Sequence, residues 1–254
     1  MKPTIIDLLN QSVEKYANNP FLWEKTGAEF KATTYSEVKH QTHLLAAGLI
    51  ELGVEVGDKV ALLSEGRNAW IIGELGILHA GAINVPLSIK LEESNDLIFR
   101  LIHSETQYVL VSSGQLKKIR LIVGALPQIK KVIVFDDQIE YEDKEISLTE
   151  LIATGKKHLL SHPTIVEERA KSIQPDDVAN ISYTSGTTAD PKGILLSHRN
   201  YTANVEQALT LMTIPTTYRT LLILPLDHCF AHVAGFYSFM ASGASVGTVQ
   251  SGKT

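Results

Sequence analysis

The sequence predicts an α/β fold with mostly parallel sheets flanked by helices. Short apolar runs rich in Val, Ile and Leu alternate with longer segments of helical period, the pattern of βαβ units. Composition agrees. The 254 residues are 44% hydrophobic and 20% charged, ordinary proportions for a globular protein. A chain of that length can bury a full core without covalent staples.

Each element has its own signal. Thr4–Asn18 carries Ile5, Leu8, Leu9, Val13 and Tyr16 on one helical stripe that ends near Pro20. Thr34-Tyr35-Ser36-Glu37 has the spacing of a capping box and opens a helix to about Leu52, with Gly53 as its stop. Alternation is then expected as strand Lys59–Leu63, helix Asn68–Ala80, strand Ala82–Leu87, helix Glu92–Ser104 and strand Gln107–Val111. A weaker helix at Gln115–Ala125 and a strand at Lys131–Phe135 follow. The polar stretch Asp136–Asp177 reads as a long excursion holding only a short helix, Ser147–Ala153. Beyond it come strand Val178–Tyr183, helix Ser197–Met212, strand Thr220–Leu224, helix His232–Ser242 and strand Ala244–Val249.

Charge and cysteine content close several doors. Lys and Arg number 23 against 28 Asp and Glu, so the net charge is 23 − 28 = −5. Binders of nucleic acid usually carry a basic excess, so none is expected as a partner. The one cysteine, Cys229, cannot close an intrachain disulfide or build a Cys-based structural zinc site, and points to a reducing compartment. Asp7 and Asn10 break the N-terminal run before it could serve as a signal peptide. The best approach to a membrane span, Ala231–Gly247, is interrupted by His232 and by serines and glycines, so no integral membrane segment is expected. A cytoplasmic location follows, with peripheral membrane attachment left open.

The densest chemical signal is the run from Ile181 to Gly193. Thr184, Ser185, Gly186, Thr187 and Thr188 put hydroxyls around a glycine directly after a strand, and Lys192 follows. Such a loop offers hydroxyl donors and exposed backbone N–H groups to an anion. Gly186 permits close approach. Lys192 adds a compact positive charge suited to phosphate, and Pro191 stiffens the loop. A plain surface turn uses the same residue types, but the word Tyr-Thr-Ser-Gly-Thr-Thr-x-x-Pro-Lys-Gly is longer and more particular.

That word, Tyr183–Gly193, resembles the signature loop of the adenylate-forming superfamily: acyl-CoA synthetases, luciferases and the adenylation domains of peptide synthetases. Thr34–Val38, Gly57–Ala61, His79–Leu87, Leu196–Asn200 and Leu224–His228 are similar to further words of that family and occur in its order. Ala189 departs from the pattern, where glycine or serine is usual, and puts turnover in question more than binding.

The resemblance implies an enzyme that joins a carboxylic acid, such as a fatty acid, to AMP using ATP and Mg²⁺ and passes the acyl group to coenzyme A. It implies that Thr184, Ser185, Gly186, Thr187, Thr188 and Lys192 hold the ATP phosphates, with Thr188 also at Mg²⁺. It implies that His228 lines the acyl and nucleotide pocket. Amino-acid-activating members carry an aspartate near that position, so histidine favours a fatty or aryl acid, although Asp227 stands where many members have an aromatic residue. The later words of the family are absent up to Thr254. The chain is therefore expected to be the N-terminal part of such a ligase, inactive alone, with the C-terminal catalytic domain missing. Residues from about 55 to 212 are expected to form one α/β subdomain with the phosphate loop, and 1–50 plus 213–254 an incomplete second one. An incomplete sheet would leave an exposed edge, and self-association through the C-terminal segment is expected.

An amino- or aryl-acid adenylating enzyme is the alternative within the same family, and three further rival readings exist. Gly247–Thr254 matches G-x-x-x-x-G-K-[ST], the phosphate loop of P-loop nucleotide hydrolases, but no residues remain for the helix that motif needs. His228 and His232, and likewise His158 and His162, have the i, i+4 spacing of metal ligands. A non-catalytic relative would keep the fold as a binding or scaffold module.

Overall fold

The strands alternate along two faces, and that alternation builds the molecule. In β3 (Lys59–Leu63), Val60 and Leu62 belong to one apolar core while Ala61 and Leu63 belong to another. In β5 (Thr106–Val111), Tyr108 and Leu110 face the first core, and Val109 and Val111 the second. Side chains point alternately across a strand, so a run that is apolar throughout demands cover on both sides. The computed structural model describes residues 3–184 and 191–248 and supplies that cover.

Seven strands form the larger sheet. Alongside β3 and β5 these are β4 (Ile83–Pro86), β6 (Lys131–Val134), β7 (Glu145–Ser147), β8 (Val178–Thr184) and β9 (Lys192–Ser197). Their order is β7-β6-β5-β3-β4-β8-β9, parallel from β7 to β8, with β9 antiparallel at the edge. Helix α3 (Asn68–His79) connects β3 to β4 and packs in the first core. Helices α4 (Ser94–His103) and α5 (Ser113–Ile122) run back from β4 to β5 and on to β6, and pack in the second. The crossovers reverse direction beside β3, so the loops after β3 and β4 depart to opposite faces. A crevice opens there, outside the carboxyl ends of the strands, where open α/β sheets bind ligands.

The smaller sheet has the order β10-β11-β1-β2, from β1 (Pro20–Thr26), β2 (Glu29–Thr34), β10 (Arg219–Leu222) and β11 (Ser245–Thr248). Helix α1 (Ile5–Tyr16) begins with Thr4 and Asp7 capping each other. Helix α2 (Tyr35–Glu51) begins the same way: Glu37 N–H donates to Thr34 Oγ1 at 3.3 Å and Thr34 N–H to Glu37 Oε2 at 2.7 Å. Gly53 takes φ +89° just beyond α2, the left-handed conformation that stops a helix. Helix α8 (His198–Leu211) opens on a third reciprocal cap, Ser197 with Asn200.

Several elements differ from the sequence expectation. The β1–β2 hairpin falls between the first two helices, where no strand is expected; β2 has no buried residue, so its period is silent. The stretch 136–177 is more ordered than its polarity suggests. It holds β7, a helix α6 (Leu148–Ser161) and a helix α7 (Ile165–Ser172), which bury only a few side chains each. The 232–242 helix is a π-helical turn, Ala231–Tyr237, running into α9 (Ser238–Ala241). Strand β11 is not an exposed edge. It lies between β10 and β1 and all four of its residues are buried, so the edges of this sheet are β10 and β2. Gly247 and Thr248 sit inside that strand, where a P-loop would need them in a turn; residues 249–254 lie outside the described residues.

Candidate functional site

The strand that leads to the hydroxyl-rich loop is held rigidly. Ala179, Asn180, Ile181 and Ser182 of β8 are buried, and Thr184 emerges into solvent at its end. β9 returns antiparallel beside it, with Thr184 directly opposite Lys192. An exposed hydroxyl and an exposed ammonium thus face each other at the carboxyl end of the larger sheet. Ser185, Gly186, Thr187, Thr188 and Ala189 lie outside the described residues.

A cleft of about 360 Å³ lies at the same end of the sheet, in the crevice between the β3 and β4 loops. Ser64, Glu65 and Gly66 follow β3; Ser88 and Lys90 follow β4; Leu222–Asp227 of the other sheet form the far wall. Ser182 Oγ donates to the Asp227 carbonyl at 3.1 Å and fastens that wall to β8.

Two carboxylates at this end of the sheet are already engaged. Glu65 accepts from Ser112 Oγ and Gln115 Nε2, both at 2.6 Å. Burial alone would raise its pKa, and these hydrogen bonds hold it below the ordinary range. Asp136 pairs with Arg67 at 2.8 Å and accepts from the Ser113 N–H. Burial opposes its charge too, and those donors keep its pKa low. Both acids stay ionised; Asp136 is paired with Arg67, Glu65 is held by neutral donors and keeps its charge, and Lys192 and Lys90 are exposed cations.

The histidines are placed differently from one another. His228 is two-thirds exposed, 3.9 Å from Asp227, and is not among the residues lining the cleft. Its neighbours Cys229 and Phe230 line a separate, mainly apolar groove of about 420 Å³ against α8. His232 is fully buried, with Nδ1 3.1 Å from Glu74 Oε1 and Nε2 2.7 Å from the Leu226 carbonyl. It therefore shares no coordination sphere with exposed His228. His158 and His162 stack on each other at 4.6 Å, and His158 contacts Glu51. Among the described residues no cluster of three metal-ligating side chains forms.

Glu65, Ser182 and the Glu74–His232 pair escape a reading of the sequence alone. Glu74 had one detectable signal: it is a lone carboxylate in the otherwise apolar run Ala69–Leu78. Such a residue has to find a buried partner.

A family model described as "AMP-binding enzyme" matches residues 9–254. A methyl-dioxo-octahydro-indenyl-propanoyl:CoA ligase of Mycobacterium tuberculosis is 32% identical over 221 residues, covering 86% of this chain and 42% of that protein. The long-chain-fatty-acid–CoA ligase ACSBG2 of Xenopus laevis is 27% identical, covering 95% of this chain and 33% of its own length. The crystal structure of the anthranilate CoA ligase AuaEII in complex with anthranoyl-AMP superposes with a TM-score of 0.85 at 22% identity, over 99% of this chain and 45% of the other. The chain thus spans between a third and a half of the length of these relatives. No helix among the described residues is long and apolar enough to cross a membrane.

Proposed function

Because the chain belongs to the AMP-binding enzyme family, we propose that it supplies the triphosphate-gripping part of an ATP-dependent acid–thiol ligase. The acid is a fatty acid, and the acceptor thiol is that of coenzyme A. In the first step the acid's carboxylate oxygen bonds to the α-phosphorus of ATP and pyrophosphate leaves. In the second, the thiol sulfur bonds to the acyl carbon, AMP leaves, and the thiol proton goes to solvent. A carboxylate oxygen is a poor leaving group and AMP a good one, which is the reason for activation.

The observation that carries this reading is the register of Thr184 against Lys192 beside the crevice. Thr184, Ser185, Gly186, Thr187 and Thr188 give hydroxyl and N–H donors to the β- and γ-phosphates, and Lys192 gives charge. Thr188 is the hydroxyl assigned to Mg²⁺, which enters with the triphosphate and offsets its charge. The donor set suits a polyphosphate through its hydroxyls and Lys192, with Asp136 already neutralised by Arg67. Positioning and charge neutralisation, more than covalent chemistry, are what such a loop contributes.

A second reading, an aryl acid in place of a fatty acid, has support from the anthranilate CoA ligase among the structural neighbours. The alternative of a non-catalytic binding module has less, since a scaffold has no need of the hydroxyl loop.

The rest of the catalytic apparatus is proposed to lie outside this chain, so the chain binds Mg·ATP without turning it over. Calorimetric titration with Mg·ATP and carboxylate-dependent exchange of labelled pyrophosphate test the two parts. Saturable binding with no exchange is expected. Absence of binding overturns the phosphate site, and robust exchange overturns the claim that the chain is inactive alone.

A further inference from the structure

We propose that Glu74 and a doubly protonated His232 form a buried ion pair that positions the Leu226–Asp227 wall of the cleft, which makes both of them positioning residues. As far as the cleft is an ATP site, this rests on the function proposed above. The ion pair and its hold on the loop do not.

The protonation state follows from the partners. Glu74 is 1% exposed and His232 0% exposed, so neither group can turn to water. One ring nitrogen faces the Glu74 carboxylate at 3.1 Å and the other faces the Leu226 carbonyl at 2.7 Å. Neither of those oxygens carries a proton when Glu74 is ionised, and a neutral imidazole has a single N–H to give. An unprotonated Nδ1 would set its lone pair against a carboxylate oxygen 3.1 Å away, so a second proton is favoured there as an ion-pair contact, while Nε2–H makes the hydrogen bond to Leu226. Glu74 Oε1 also accepts from Asn84 Nδ2 at 3.0 Å. Rings enclose the charge: Tyr201 stacks on His232 at 5.6 Å, and Trp70 meets it edge-on at 5.4 Å. An aromatic face attracts a cation.

The titratable groups facing His232 are Glu74 from α3, Tyr201 from α8, Tyr237 from its own turn and Asp227 from the loop. Burial works against the charged ring. The Glu74 carboxylate and the Leu226 carbonyl outweigh it, and the His232 pKa is held above its ordinary value. Burial, with Glu74 nearby, pushes both tyrosines above the usual phenol range, so they stay neutral.

The consequence falls on the loop after β10. His232 grips the Leu226 carbonyl from behind, while Ser182 of β8 grips the Asp227 carbonyl next to it. Leu226 and Asp227 both line the cleft. The anchor reaches further through Glu74 to Asn84 on β4, a strand of the other sheet. The pair therefore fixes the distance between the two walls of the crevice.

Nitrogen-15 NMR of the histidine-labelled chain reads the ion pair, with His232→Gln used for assignment. The His232 ring is expected to keep both protons to higher pH than a free imidazole does. A ring that loses its second proton at or below the pH at which a free imidazole does overturns the ion pair. Hydrogen exchange of the 223–230 segment reads the positioning without any ligand. In the double variant Glu74→Leu, His232→Phe, which removes both charges together, exchange there is expected to accelerate about tenfold while β4 is unchanged. Unchanged protection of that segment overturns the positioning. Should the double variant not fold, Glu74→Gln is read by NMR instead: the His232 ring is expected to lose its second proton at a lower pH than in wild type, and an unchanged titration overturns the pairing. A wild-type chain that fails to bind Mg·ATP would count against the proposed function and leave these results intact.

Discussion

Ser182 hydrogen-bonds to the backbone carbonyl of Asp227 at 3.1 Å, joining the strand that leads into the hydroxyl loop to the far wall of the cleft. Ser182 and Thr184 lie on the same face of β8, two residues apart. Ser182→Ala is expected to destabilise the fold by about 1 kcal/mol, the usual worth of one intramolecular hydrogen bond. A urea titration checks this; an unchanged midpoint would mean the loop is held by other contacts.

Helices α2 and α6 cross with their backbones touching. A Cβ built on Gly155 would lie 2.0 Å from the Leu44 carbonyl oxygen and 2.7 Å from the Gly48 nitrogen. Neither atom can yield without moving a helix. Gly155→Ala is expected to lower stability by about 2 kcal/mol or more through overpacking, against a small gain from helix propensity. Gly124→Ala, where nothing lies within 4 Å, is the control and should be close to neutral. Equal midpoints for the two variants in thermal unfolding would refute the close crossing.

Two buried histidines are held neutral. Burial lowers the His79 pKa to about 3 and the His198 pKa to about 4. Geometry agrees for His198, whose Nδ1 accepts from the Ile5 N–H at 3.3 Å. Between those values and the ordinary 6.5, the unfolded chain binds protons that the folded chain refuses. Their stabilising share is complete above about pH 6.5 and is lost as the pH falls. From pH 7 to pH 5 the unfolding free energy is expected to drop by roughly 2–4 kcal/mol, since each unit of pH carries about 1.4 kcal/mol per group. His232 has the opposite sign: its raised pKa adds stability at low pH that is lost as the pH rises through that value. Denaturant titrations at several pH values give the slope, and His79→Gln should make it shallower. A flat profile in both proteins would contradict the assignment.

Tyr35 anchors the turn that leads from α9 into β11. Its hydroxyl donates to the Ala244 carbonyl at 2.7 Å from a fully buried position. Tyr35→Phe keeps the ring and leaves that carbonyl unpaired, so a loss of about 1–3 kcal/mol is expected. Differential scanning calorimetry checks it; a transition within 1 °C or so of wild type would show the carbonyl satisfied elsewhere.

How much was legible depends on where each signal resides. The Thr34–Glu37 cap and the Gly53 stop are local, and both appear as the spacing predicts. The central parallel strands were legible because both of their faces are buried, which leaves unbroken apolar runs such as Val60–Leu63. Strand β2 has only exposed and half-buried residues, and β7 is three residues long, so neither carries a period to read. In β9, Ile194 and Leu195 are exposed, and the adjoining loop word dominates the stretch. The site divides the same way. Thr184 and Lys192 belong to one contiguous word, whereas Glu74 meets His232, and Ser182 meets Asp227, only after the two sheets have packed together.

The claim at the centre is that the hairpin opening at Thr184 and closing at Lys192 holds a nucleotide triphosphate. Two lysines sit in phosphate-loop words, Lys192 and Lys253. The most direct measurement is Mg·ATP affinity by calorimetry for Lys192→Ala and Lys253→Ala, each against wild type. Lys192→Ala is expected to weaken binding about tenfold or more, the loss of one charge-assisted phosphate contact, with Lys253→Ala unchanged. Undiminished affinity in Lys192→Ala, or a loss confined to Lys253→Ala, would contradict it.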